Sequence, residues 1–198
     1  MKKNTQVPVS IKIRVDGGST ETFNNEIAQV VSDAGADFLI VHGRHWSERY
    51  DTPCHHNQIK FFVDQLKIPV IGNGDVSCVD SLKKMFETGC AGVMIGRAGV
   101  GQPWLIKKLT AQMQNEPFLL PIMAEIGRIF MVHVRMLSEL LGSEKLAVLQ
   151  ARKFAKYYGR DLKTRMAFIL AVNCCETLVA LEDICHAHFK GFAHDPNI

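Results

Sequence analysis

Apolar and polar residues alternate strictly from Val9 to Val15. Val9, Ile11, Ile13 and Val15 fall on one face, and Ser10, Lys12 and Arg14 on the other. A period of two is that of a strand. Asp16-Gly17-Gly18-Ser19 reads as a loop, after which the period lengthens. Ile27, Val30, Val31 and Ala34 share one side of a helix predicted over Phe23–Ala34, and Gly35 ends it. The exchange recurs three times. Phe38-Leu39-Ile40-Val41 is wholly apolar, as in a strand buried on both faces, and Ile59, Phe62, Val63 and Leu66 mark the helix that follows. Pro69-Val70-Ile71-Gly72 is a third strand. Its helix has Ser77 as the expected N-cap, Leu82, Met85 and Phe86 inward, and Gly89 as the stop. Val93-Met94-Ile95-Gly96 is a fourth, running through a glycine turn into a helix opened by Pro103. Strands alternating with helices in units of roughly 23 to 31 residues predict a parallel sheet.

Past Leu109 the strands stop. Gln112 to Leu120 is a polar linker closing on Pro117 and Pro121. Ile122, Ile126, Ile129, Phe130, His133, Leu137 and Leu140 then draw one amphipathic helix, with His133 expected to be packed. Gly142-Ser143 starts another helix that runs to about Tyr158. Two more are expected near Leu162–Val172 and Glu176–Phe189, giving an antiparallel bundle. The fold class is thus α/β followed by all-α, divided at 115/116.

The 198 residues are 47% apolar, enough for a core. No apolar run reaches the roughly 18 residues of a membrane span, and the basic start lacks a signal-peptide core, so a cytoplasmic location is expected. The net charge of +3 is too mild to decide for a nucleic-acid partner. Its distribution says more: Lys145, Arg152, Lys153, Lys156, Arg160, Lys163 and Arg165 lie within 21 positions that hold only Asp161 as a carboxylate. Arg152 and Lys156 are four apart and share a helix face. Such a cluster is either a solvated surface or a phosphate-binding patch. The six cysteines form no C-x-x-C pair and are expected to be reduced. Cys54-His55-His56 and Cys185-His186-Ala187-His188 have no second ligand pair at zinc spacing, so no metal is expected.

The polar motifs gather at strand C-terminal ends: Arg14, His42-Gly43-Arg44, Asn73-Gly74-Asp75 and Gly96-Arg97. Parallel α/β folds place their sites there. A glycine turn leading to a helix offers backbone N–H groups to an anion, and Arg97 adds a charged fork.

Lys12-Ile13-Arg14, Ile40-Val41-His42-Gly43-Arg44, Pro69-Val70-Ile71-Gly72-Asn73-Gly74-Asp75 and Met94-Ile95-Gly96-Arg97-Ala98, with Gly101-Gln102-Pro103-Trp104, together resemble the tRNA-dihydrouridine synthases in order and spacing. That family reduces uridines of tRNA to 5,6-dihydrouridine, using FMN bound at the strand ends of a (β/α)8 TIM-type barrel and NADPH as reductant, and holds tRNA with a C-terminal helical domain. The resemblance implies that residues 1–115 are half of such a barrel, matching the family's fifth to eighth strands, and that 116–198 are the helical tRNA-binding domain. It implies flavin or phosphate contacts from Lys12, His42, Asn73, Gly74, Asp75, Gly96 and Arg97. RNA contacts are implied for Arg14, Arg44, Arg152, Lys153 and Lys156. If Ile11 and Ile13 face the outer helices, Lys12 faces the barrel interior and calls for an anionic partner.

The family's catalytic cysteine lies in a Gly-Cys-Pro loop after the fourth strand. No cysteine here is followed by proline, so none takes that role by motif. The isolated chain is therefore expected to be inactive, and to self-associate or to need a complementing N-terminal half. The family usually continues His-Gly-Arg with threonine and a basic residue. Here His45-Trp46-Ser47-Glu48-Arg49-Tyr50-Asp51-Thr52-Pro53 follows, with Tyr50 retained. Another FMN barrel oxidoreductase, related to dihydroorotate or dihydropyrimidine dehydrogenases, and a non-catalytic tRNA-binding remnant remain as alternatives.

Overall fold

The computed structural model describes residues 2–16 and 21–192. It shows an α/β fold with a four-stranded parallel sheet and eight α-helices among those residues. Gly17 to Ser19 of the first expected loop lie outside the described residues.

The strands are β1 (Ser10–Arg14), β2 (Phe38–His42), β3 (Val70–Asn73) and β4 (Gly92–Met94), and they stand side by side in chain order. Each pair is parallel, as the alternation of strand and helix predicts. The register aligns Arg14, His42, Asn73 and Met94 across the sheet. The helices of this region are α1 (Glu21–Asp33), α2 (His56–Gln65), α3 (Val79–Phe86) and α4 (Leu105–Met113). Leu39 and Val41 of β2 are buried together with Ile59 and Phe62 of α2, Met85 of α3, and Leu105 and Leu109 of α4. The intervening strand positions are different. Phe38, Ile40 and His42 are only partly covered, and Lys12 and Arg14 are exposed. The sheet thus buries one face and leaves the other largely open.

Three local expectations shift. Phe86 of α3, expected to face inward, is exposed, while Leu82 and Met85 are buried. α3 is capped at Cys78, one residue beyond Ser77, because the Ser81 hydroxyl accepts from both the Ser77 and Cys78 amides at 3.0 Å. Pro103 is not the first residue of α4; it sits in a turn two residues before Leu105.

The remaining helices are α5 (Met123–Leu141), α6 (Glu144–Tyr158), α7 (Arg165–Cys174) and α8 (Leu178–His188). Gly142 ends α5 in the left-handed conformation, φ 59°, and Ser143 caps α6 by accepting from the Leu146 amide. Phe130, Val134, Ala147, Ala151, Phe168, Val172, Leu181 and Phe189 form a fully buried core. α7 begins three residues later than its apolar pattern suggested, after the Leu162 turn.

Two compact units result: residues 1–99 with 105–116, and residues 100–104 with 117–198. The short segment Val100–Trp104 belongs with the helices for a steric reason. Gly101 has φ 71°, and a Cβ there would stand 2.7 Å from Tyr157 Cβ. Arg160 also donates to the Val100 carbonyl, and Trp104 packs on the helical core.

Candidate functional site

The C-terminal ends of the four strands surround a cavity of about 460 Å³, lined among others by Lys12, Arg14, His42, Asn73, Gly96 and Arg97. All seven residues expected to contact a flavin or its phosphate line this cavity, as does Arg14. Parallel pairing in register brings them together from positions as far apart as 12 and 97.

Lys12 is exposed on the open face of the sheet, and its Nζ donates to Asn73 Oδ1 at 3.0 Å. What burial it has, together with the nearby Arg14 charge, lowers its pKa from the ordinary lysine value. Asn73 is nearly buried, and its Nδ2 donates to the Met94 carbonyl at 2.8 Å. Its side chain therefore aims Lys12 into the cavity and ties β3 to β4, a positioning role that its expected phosphate contact did not include. Partial burial lowers the His42 pKa, and the Arg14, Lys12 and Arg44 cations add to that against the opposing pull of the Arg44 carbonyl. The imidazole is thus neutral at pH 7 and lies beside three cations.

Arg44 corrects an expectation. The resemblance puts it among residues reaching RNA, yet only 1% of it is exposed. Its Nε donates to the Thr52 carbonyl at 2.8 Å, and its Nη2 to Asp75 Oδ2 at 2.5 Å. Asp75 Oδ1 accepts from Arg97 Nη2 at 3.2 Å, and the Arg97 guanidinium lies 4.0 Å from the centre of the Tyr50 ring. One carboxylate thus links the ends of β2, β3 and β4, and through Thr52 and Tyr50 the loop after β2. Burying a guanidinium demands such a partner. Asp75 itself has φ 49°, uncommon for a residue with a Cβ, and the two arginines hold it there. Arg44 Nη1 is buried without a hydrogen-bond partner.

Cys54 lies under this ion pair. A Cβ on Gly43 would come within 2.4 Å of its sulfur, and one on Gly74, φ 141°, within 2.6 Å. Two strand ends close on this thiol because both carry glycine. Burial, with the Asp75 charge, pushes its pKa up to about 11. Gly96 is the opposite case: a Cβ there would meet nothing within 4 Å, so the backbone beside Arg97 is open to a ligand.

The basic positions of the helical unit divide. Lys153 is exposed, and the Lys156 ammonium lies 5.0 Å from the Tyr157 ring. Arg152 is turned inward: its Nη2 donates to the Cys175 carbonyl at 3.3 Å and its Nε is buried, so it is not a free surface charge as expected. Arg160 is engaged with the Tyr157 and Val100 carbonyls. His133 is packed as anticipated, beside the Phe154 ring and 3.2 Å from the Tyr158 hydroxyl. Among the described residues no group of three or more histidine, cysteine or carboxylate side chains is placed to hold a metal. No helix of the described residues is long and apolar enough to cross a membrane.

Sequence reasoning missed the Asp75 bridge and the inward turn of Arg152. The spacing of a motif gives no sign of the carboxylate or carbonyl that an arginine finds 31 or 23 residues away.

Comparison with known proteins agrees with the motifs. The chain is 31% identical over 191 residues to tRNA-dihydrouridine synthase B of Escherichia coli K12, covering 94% of this chain and 59% of that protein. It is 30% identical over 186 residues to tRNA-dihydrouridine synthase B of Pasteurella multocida, covering 91% of this chain and 56% of that one. The chain therefore spans somewhat over half the length of these relatives. Among solved structures it aligns with the Salmonella typhimurium RcsB response regulator at 13% identity and a TM-score of 0.27, over 88% of this chain and 96% of that one, a likeness too weak to bear on fold or function. The family described as dihydrouridine synthase (Dus) matches residues 1–191, and with the strand-end motifs in place this chain belongs to that family.

Proposed function

We propose that this chain contributes the phosphate cradle and the tRNA-holding surface of an FMN- and NADPH-dependent reduction of uridine to 5,6-dihydrouridine in tRNA. The observation that carries the reading is the strand-end cavity, where Lys12, Arg14 and Arg97 converge around open backbone at Gly96. The residues fit a phosphorylated flavin. The cations exceed the single lining carboxylate, Asp75, which is already committed to Arg44 and Arg97. Residues 1–115 are read as half of a barrel and 116–198 as the RNA-holding helices.

Reduced FMN would supply the hydride, and this chain's residues bind and orient. Arg97 and the backbone at Gly96 hold the phosphate. Lys12, aimed by Asn73, would offer a positive charge to a reduced flavin, which is negative. His42, at the same strand end, would contact the ring. Lys153 and Lys156 supply phosphate contacts that give affinity without sequence choice. The proton for the uracil carbon comes from a cysteine that this chain does not match by motif. General acid help of that kind is worth ~10²–10⁴ in rate.

The test is dihydrouridine formation on unmodified tRNA with FMN and NADPH. The 198-residue chain alone is expected to give none. Adding a polypeptide that corresponds to the part of the relatives it does not span is expected to restore turnover. Robust turnover by the chain alone would refute the division of labour. Failure of the mixture, together with no FMN binding, would refute the function.

A further inference from the structure

A second cavity of about 450 Å³ adjoins the first, lined by Arg14, Trp46, Glu48, Arg49, Tyr50 and Asp51. Arg14 and Tyr50 line both. Trp46 is 77% exposed and Tyr50 64%. Two large aromatic rings presented to water beside a charged cavity require an explanation, because their loop is not slack. Glu48 accepts from the His45 amide at 2.7 Å and pairs with His55 Nε2 at 2.6 Å. The His45 side chain contacts Ser47 Oγ at 2.8 Å, and Arg14 Nη1 donates to the His45 carbonyl at 3.3 Å. Arg44 anchors the loop at Thr52. The backbone is stitched on both sides of Trp46, and the indole still points outward, with the His45 ring tilted against it at 5.2 Å.

We infer that Trp46 is a stacking platform for an unpaired nucleobase of the RNA, next to the strand-end cavity, with Arg14 and Arg49 taking the flanking phosphates. The occupant must be flat and apolar on one face and anionic along its edge. A nucleotide within a single strand has that combination, and aromatic faces bind bases with little sequence preference. The Tyr50 ring has Arg97 over one face, which leaves Trp46 as the freer platform. Of the two lining carboxylates, Glu48 is spent on its own loop. Asp51 is exposed and is an acceptor suited to a base N–H. Trp46 also stands where this chain departs from the family's loop sequence. The inference rests on the tRNA reading above.

The test uses the two-tryptophan composition of the chain. In Trp104→Phe, Trp46 is the remaining indole. Titration with unmodified tRNA, and with a short single-stranded oligouridylate, is expected to quench its emission. Trp46→Ala should weaken tRNA binding about tenfold, the size of one lost base stack. Trp46→Phe should keep most of it, and at this exposure neither change threatens folding. Tight tRNA binding with unquenched Trp46 emission and wild-type affinity in Trp46→Ala would overturn the platform, assign the ring to another partner such as a protein surface, and leave the tRNA reading standing. Absence of any RNA binding by the unaltered chain would overturn both.

Discussion

The two units solve the burial problem in opposite ways. In the helical unit Phe130, Phe168 and Phe189 meet at ring-centre distances of 5.9 and 5.2 Å, and every ring is enclosed. In the sheet unit the core is one-sided: Leu39 is fully buried, while Ile40, the next residue of β2, is only partly covered. The helical unit encloses these three rings, although Leu140, Met166 and Val179 remain in water. The sheet unit leaves one face of its sheet to Lys12, Arg14 and His42. A surface that carries chemistry cannot also be a closed core, and the alternation of β1 shows the division residue by residue.

The largest effect that tests this contrast is truncation in each unit. Phe168→Ala should cost about 3–5 kcal/mol, as expected for an enclosed aromatic, whereas Ile40→Ala should cost about 1 kcal/mol. Urea denaturation checks both, and an Ile40 cost equal to that of Phe168 would mean that the open face is closed in solution. The next test compares two arginines on one carboxylate. Arg44→Met removes a guanidinium that is 1% exposed and leaves Asp75, 36% exposed, to be rehydrated, for a cost of about 2–3 kcal/mol. Arg97→Met breaks the other arm of the same bridge, with Arg97 53% exposed, and should cost under about 1 kcal/mol while weakening phosphate binding. Thermal melts with and without FMN separate these.

Sequence periodicity gave the strands and helices because periods of two and 3.6 are local properties. The fate of individual charges was not local. Nothing in Ser10-Ile11-Lys12-Ile13-Arg14 says what meets its polar face, where Lys12 is exposed and donates to Asn73, a residue 61 positions away. His42-Gly43-Arg44 suggested a site, and His42 lines the strand-end cavity. Arg44 lies beneath it, because Thr52 and Asp75 come to meet it after folding. Val100–Trp104 looked like the lead-in to α4. The left-handed Gly101 against Tyr157 depends on a residue 56 positions away and could not be read from the turn itself. The cluster of basic residues near α6 was legible as composition, whereas the engagement of Arg152 and Arg160 by carbonyls was not.

That last distinction yields a smaller effect. If the free ammonium groups bind RNA phosphates, Lys153→Ala and Lys156→Ala should each lower the slope of log affinity against log salt by about one unit, whereas Arg152→Lys should change it less. Filter binding across a salt series decides. The smallest effect concerns acid. His42 in the sheet unit and His133 in the helical unit are both held below the ordinary value of 6.5, chiefly by burial. Between the lowered value and 6.5 the unfolded chain binds more protons than the folded one, so stability falls as pH drops through that window. His133→Gln should flatten the fall. His42→Gln should flatten it in buffer but less with FMN present, because a bound anion favours the protonated imidazole. Melting temperatures between pH 5 and 7.5 provide the check.

The thiol wedged between Gly43 and Gly74 has a consequence for chemical durability. With its pKa pushed up to about 11, Cys54 stays protonated at neutral pH more completely than an ordinary cysteine. Oxidants and alkylating agents attack the thiolate, so this sulfur resists both. A sulfenic oxygen would also need space that the two glycine backbones already border. The wedge that shapes the strand ends is thus made of a thiol that reacts slowly.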